Sequence, residues 1–170
     1  MLFLHYDSTK TLLKRFNRNF KTINMYTGLL HTHNLFRWLV LVALLLAVLF
    51  ALTGWFGKRD WNKKDNLAGL LLTIFMDIQL LVGLILYAFV SPVTKAAFND
   101  FGAAMKNADL RFYAVEHILM MVIALVLVHI GRAKSKKDVA NLKKHRSAAI
   151  YYVIALVLVL AGIPWERAFM

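Results

Sequence analysis

The sequence predicts an all-α integral membrane protein built as an up-down-up-down four-helix bundle. Three observations carry that expectation. Hydrophobic residues make up 60% of the 170 residues, above the roughly 45–50% of an ordinary soluble domain. They gather in four segments that reach or approach the roughly 20 apolar residues a spanning helix needs. Only two prolines and eight glycines occur, which suits long helices. Lipid tolerates only helices or closed barrels, and an apolar run such as 38–52 is too long for a barrel strand.

Residues 1–24 read as a basic N-terminal extension. "STKTLLKRFNRNFKTIN" brings five bases, with Leu12, Leu13, Phe16, Phe20 and Ile23 at helical spacing. That pattern suits an amphipathic helix on a membrane surface. It is no signal peptide, because "LFL" is too short for the apolar core of one. The expectation is a translation start at Met25 and one domain over 25–170.

The first span covers about 35–56. The second, 67–90, carries Thr73, Asp77 and Gln79, and "SP" at Ser91–Pro92 ends it, since a residue before proline avoids helical geometry. The third, about 111–130, carries Glu116, His117 and His129. The fourth, 148–165, stops at "GIPW". Within the second connection, "NDFGAAMKNADL" reads as a short surface helix.

The bases orient the bundle. Residues 57–66 hold Lys58, Arg59, Lys63 and Lys64 against Asp60 and Asp65. Residues 131–147 hold seven Lys and Arg against Asp138 alone. The positive-inside rule places both loops in the cytoplasm and both chain ends outside, in the periplasm if the membrane is the bacterial inner one. The bases of residues 1–24 fall on the wrong side for this orientation, which is the reason for expecting the start at Met25. A nucleic-acid partner is not expected, because the bases flank apolar spans and decorate no globular body. The absence of cysteine excludes disulfides, thiolate metal sites and cysteine nucleophiles. No nucleophile–base pair and no phosphate-cradling loop supports hydrolase or kinase chemistry.

Ionisable residues inside a membrane need a partner or a task. "GLLHTHNLFRW" crowds His31, His33 and Arg37 at the mouth of the first span. His33 and Arg37, four residues apart, share a helix face. Arg37 and Glu116 lie at similar depth, so a bridge between them is expected. Spans one and three can stand diagonally across such a bundle, which would set His33 or His31 opposite His117. Two facing imidazoles can ligate haem iron axially, and Arg37 suits a haem propionate. Gly83 and Gly69 would admit a flat macrocycle. The plainer reading gives these histidines structural hydrogen bonds. A copper site from His31, His33 and His117 with Met120 or Met121 is a third reading. Asp77, near the middle of span two, reads either as bonded to Thr73 or as a proton-relay or quinone-contacting carboxyl; Gln79 faces elsewhere. His129 and His145 lie towards the basic side, where "KKHR" reads as a headgroup-facing cluster.

Four stretches together, "MYTGLLHTHNLFRWLVL", "IQLLVGLILYAFVSP", "LRFYAVEHILMMVIALVLVHIGRAKSKK" and "KKHRSAAIYYVIALVLVLAGIPW", resemble a family of short four-helix bacterial membrane proteins commonly labelled cytochrome b. The resemblance covers nearly all of 25–165 and leaves residues 1–24 outside it. It implies a b-type haem with His33 and His117 as leading axial ligands and His31 in reserve. The sequence departs from a multi-haem pattern, since only His117 is clearly inside a span. The leading expectation is haem-linked electron transfer near the outer face, exchanging with a quinone or a respiratory-complex subunit. The alternative is a cofactor-free structural or assembly subunit of a larger membrane complex. A small transporter is less supported, because no broken helix provides the usual binding apparatus.

Overall fold

The computed structural model describes residues 2–165, with side chains described at Lys14, at Phe16 and from Phe20 onward. Every regular element among them is helical: α1 (Leu2–Phe56), α2 (Lys63–Ile85), α3 (Pro92–Asn99), α4 (Phe101–Lys106), α5 (Ala108–Arg111), α6 (His117–Ser135) and α7 (Asn141–Gly162). One π-helical turn, Leu86–Val90, extends α2, and another, Phe112–Glu116, leads into α6. Four stretches are long and apolar enough to cross a membrane: Phe20–Phe56, Lys63–Val90, Ala108–Ser135 and Asn141–Gly162.

All four stretches start before the expected spans and the third also ends later, whereas α7 stops at Gly162, short of the expected 165; capping and packing, not hydropathy, set the helix ends. α2 starts at Lys63 because Asn62 and Asp65 form a capping box. The Asn62 side chain accepts from the Lys64 and Asp65 backbone N–H groups, and the Asp65 side chain accepts from that of Asn62. α6 continues through the charged Arg132 and Lys134, whose positive charges suit a helix C-terminus. The expected end at Ser91–Pro92 is present: Ser91 caps α3 through its side chain and Pro92 takes the first helical position. The connection that follows holds three short helices, α3 to α5.

α1 is continuous through Met25. Phe16 and Phe20 stack with ring centres 6.3 Å apart, and both are exposed, as is Ile23. The expected apolar stripe therefore exists at these positions and is largely exposed. Leu12 and Leu13, assigned to the same stripe, lie outside the described side chains.

α1 packs along α2 and α7, and α6 packs along α7 and α2, so α1 and α6 face each other diagonally. Residues 37, 41, 44, 48 and 51 of α1 are all buried, and their alternating spacing of four and three is the seam of closely packed helices. Small side chains bring the backbones together: Ala43, Ala47 and Ala51 on α1, Ala124 and Gly131 on α6, Ala148, Ala155 and Gly162 on α7 are all buried. Leu44, Leu72 and Val128 are fully enclosed among them.

The two ends of the molecule differ. The lower end gathers the turns 57–62 and 136–140, linked by a hydrogen bond from Asn141 to Asp60 of 2.7 Å. There Arg59 grips the Asp65 carboxylate with two nitrogens and also donates to the Phe50 carbonyl. The bond to Asp65 holds the Arg59 guanidinium above its ordinary value. The upper end carries α3 to α5 and both π turns, and the candidate site lies beneath them.

Candidate functional site

A π turn widens the helix and leaves carbonyls short of their usual partners, which is why such turns recur at functional sites. Both turns here are stitched by side chains. The Tyr87 hydroxyl donates to the Ala114 carbonyl at 2.7 Å, joining one π turn to the other. The Thr94 hydroxyl donates to the Tyr87 carbonyl at 2.8 Å. Arg111 donates to Glu116 at 2.7 Å and to the Met105 carbonyl at 3.1 Å. The clamp fixes the start of α6, and His117 is its first residue.

His117 Nδ1 lies 2.7 Å from the Gly162 carbonyl of α7. A carbonyl only accepts, so Nδ1 carries the proton and Nε2 keeps its lone pair. Across the core, the His33 ring stands with its centre 6.4 Å from that of His117, the planes inclined at 69°. His33 Nε2 lies 3.2 Å from Gln79 Nε2. With the amide in this orientation, Gln79 donates to Nε2, and His33 Nδ1 and Gln79 Oε1 are buried without partners. Turned by half a rotation, the amide would accept from Nε2–H and free the Nδ1 lone pair; such assignments follow from the surrounding network. Gly83 makes room for the His33 ring, since a Cβ there would lie 3.0 Å from His33 Cε1.

The two rings border a cavity of about 280 Å³, which a smaller one of about 60 Å³ joins between α2 and α6. Both share Met76, Gln79, Gly83, Tyr87 and Met121 besides the histidines. The larger also takes in Asn34, Arg37, Ser91 and Thr94. The walls are mainly apolar with a few polar groups, the usual make-up of a small-molecule site.

The structure brings together His33, His117, Arg37 and Gln79 and separates the remaining candidates from them. His31 is exposed and does not line the cavity, because a two-residue step turns it away from His33. Arg37 is buried, lies 3.5 Å from Asn34 Oδ1 and stacks over Trp38. The expected Arg37–Glu116 bridge is corrected: Glu116 is held by Arg111, five residues before it, through the π turn. Of the two readings of Asp77, the bond to Thr73 is not formed. Thr73 donates to its own helix at the Gly69 carbonyl, while Asp77 pairs with His129 of α6 at 2.8 Å.

Gly69 belongs to the lower end, where a Cβ would meet Tyr152 and Arg132, so of the two glycines only Gly83 borders the site. His145 is no headgroup-facing residue. It is 0% exposed, because α7 already begins at Asn141 and turns this position onto Gly54 of α1 and the Trp61 ring. Tyr87, Thr94 and Asn34 carry no isolated sequence signal. Tyr87 and Thr94 flank the "SP" break, the one feature that would have pointed to them.

Among the described residues no group of three or more His, Cys, Asp or Glu gathers to hold a metal ion, so the three-histidine copper arrangement is not formed. Two histidines suffice for a metal that brings its own equatorial ligands. An imidazole nitrogen sits roughly 2 Å from the metal it binds and roughly 1 Å from its ring centre, so two rings on opposite sides of one ion have centres roughly 6 Å apart. The observed 6.4 Å and the Nε2 lone pair of His117 fit that demand; His33 offers Nδ1 only with the Gln79 amide turned, because in the present orientation Nδ1 carries the proton. Comparison with known proteins finds no matching family model, no matching curated protein and no matching solved structure.

Proposed function

We propose that the chain is an integral protein of the bacterial inner membrane, an up-down-up-down four-helix bundle with loops 57–66 and 131–147 in the cytoplasm. Its upper end binds haem b for electron transfer near the outer face. The observation that carries this reading is the His33–His117 pair, two imidazoles from diagonal helices facing across one cavity. His33 and His117 would hold the iron, and the haem would supply one-electron chemistry. The Gly162 carbonyl fixes the tautomer and orientation of His117, as such partners commonly do for metal-bound histidine. Arg37, lining the cavity, offers a forked donor to a propionate. Gln79 positions His33. A quinol or a subunit of a respiratory complex would exchange the electron.

One observation favours the alternative, a cofactor-free structural or assembly subunit. His33 bonds Gln79 and His117 bonds Gly162 within the protein, so each already ties two helices together. Titrating haem into the detergent-purified protein decides between them. Saturable uptake at one haem per chain, lost in His33→Ala and His117→Ala variants that keep their helical content, supports the haem reading. Absence of uptake by the well-folded wild type overturns it.

A further inference from the structure

Arg132 is a buried cation without a counter-charge. It is 7% exposed and lies near the lower end of α6, close to the end of the stretch Ala108–Ser135. Its Nη1 donates to Asn66 Oδ1 of α2, and its Nε is buried without a partner. Among the described residues no carboxylate pairs with it, whereas Arg59 holds Asp65 and Arg111 holds Glu116. Buried charges are ordinarily paired, because removing an ion from water costs more than one neutral hydrogen bond returns.

The packing fixes the course of the side chain. Gly69 makes room for it, since a Cβ there would lie 3.3 Å from Arg132 Cδ and 2.9 Å from the Tyr152 hydroxyl. That hydroxyl is also buried without a partner, and being neutral it balances no charge. Arg132 thus runs between α2 and α6 to Asn66, which lies in the first turn of α2 and is exposed. Nη2 bonds no described residue and is open to the surface beside Asn66. Because the Asn66 oxygen accepts from Arg132, its NH2 group remains as a second donor. Lys63, three residues before Asn66, and Lys136, four after Arg132, are exposed on the same faces. Above this rim the exposed side chains are apolar: Leu67, Leu70 and Ile74 on α2, Val122 and Val126 on α6.

We propose that the notch formed by Arg132 and Asn66 binds the phosphate of an anionic phospholipid in the cytoplasmic leaflet. The inference rests on the membrane-spanning orientation proposed above, in which the lower end is cytoplasmic. The phosphate supplies the missing negative charge. One oxygen accepts from Arg132 Nη2 and another from the Asn66 amide, and the bond to the guanidinium is stronger than one between neutral groups. Lys63 and Lys136 add a positive field that favours a net anionic headgroup over a zwitterionic one. Basic recesses between spanning helices on the cytoplasmic side bind such headgroups in other membrane proteins. A free phosphate ion would meet the same donors. The apolar side chains directly above the notch favour a phosphate that carries acyl chains, which lie along Leu67, Leu70 and Ile74.

The test is native mass spectrometry of the full chain in mild detergent, titrated with phosphatidylglycerol, phosphatidylcholine or inorganic phosphate. Helical content is checked by circular dichroism and membrane insertion by resistance to alkaline extraction. Wild type should hold one phosphatidylglycerol per chain and bind phosphatidylcholine more weakly. Arg132→Gln should lower the affinity for phosphatidylglycerol about tenfold, the worth of a hydrogen bond to a charged group. Asn66→Asp sets a carboxylate against the guanidinium from an exposed position, so it should fold as well as wild type and show the same loss. Lys143→Gln, which removes an exposed charge from α7, should leave the affinity unchanged. Equal binding of the two lipids by wild type would overturn the proposal. So would an unchanged affinity in folded Asn66→Asp. Displacement of the lipid by inorganic phosphate at equal concentration would make this a site for a free anion and overturn the lipid assignment. Extraction of the wild type by alkali would instead refute the membrane reading on which the proposal rests.

Discussion

Gly54→Ala should be among the most damaging single-methyl additions in the chain. A Cβ at position 54 would lie 2.1 Å from His145 Cε1, 2.2 Å from Nδ1 and 2.5 Å from Nε2. Non-bonded heavy atoms rest at roughly 3.5–4.0 Å, so the ring would have to retreat by more than 1 Å. It cannot retreat easily. His145 is fully buried, and the Trp61 ring centre lies 4.8 Å from its own. Buried Ala51, Ala148 and Ala149 hold the two backbones close. The strain must therefore separate α1 from α7, at a cost of about 3 kcal/mol, the upper part of the usual range for overpacking. His145→Ala alone leaves a hole and should cost about 2 kcal/mol. In the double variant the new methyl occupies space the ring has vacated. The clash is then gone, so the two effects should fall short of additivity by about 3 kcal/mol, the upper end of the coupling that residues in contact show. Reversible unfolding in mixed micelles, followed by circular dichroism and by tryptophan fluorescence, gives all three values. Strict additivity, or a neutral Gly54→Ala, would refute the packing argument.

Other substitutions probe the upper end and the caps. Tyr87→Phe removes the bond that joins the two π turns and should cost about 1 kcal/mol, with faster amide exchange over 112–116 measured by mass spectrometry. Glu116→Gln breaks a pair whose two side chains are each 43% exposed, so thermal unfolding should register less than about 1 kcal/mol; a larger loss would point back to a buried bridge. Asn62→Ala removes the side-chain acceptor that caps α2 and should cost about 1 kcal/mol in the same assay. Gly83→Ala pushes on the His33 ring by a few tenths of an ångström, from a contact at 3.0 Å, and should weaken haem uptake while leaving helical content unchanged.

The helices were legible because long apolar runs and the "SP" break have only one reading as secondary structure. The facing of His33 and His117 followed from helix depth and the diagonal placing of spans one and three. Partners set by helix rotation were not legible. Asp77 and His129 are 52 residues apart, and nothing in either span says that they turn to the same seam. A regular helix gives no reason for Arg111 to fold back on Glu116, so depth alone points Glu116 to Arg37; the π turn between 111 and 116 supplies that reason. His145 lies in a run of bases that reads as solvated. Its burial depends on Gly54, more than 90 residues away, having no side chain. The capping box is written in "NKKD", where the same residues also read as loop charge.

The most direct test of the central claim is a reduced-minus-oxidised visible spectrum of the detergent-purified protein, expressed with haem supplied. The account predicts a b-type difference band that disappears in both His33→Ala and His117→Ala. A wild-type protein that folds, is supplied with haem and shows no such band would contradict it, leaving the two histidines as ties between helices.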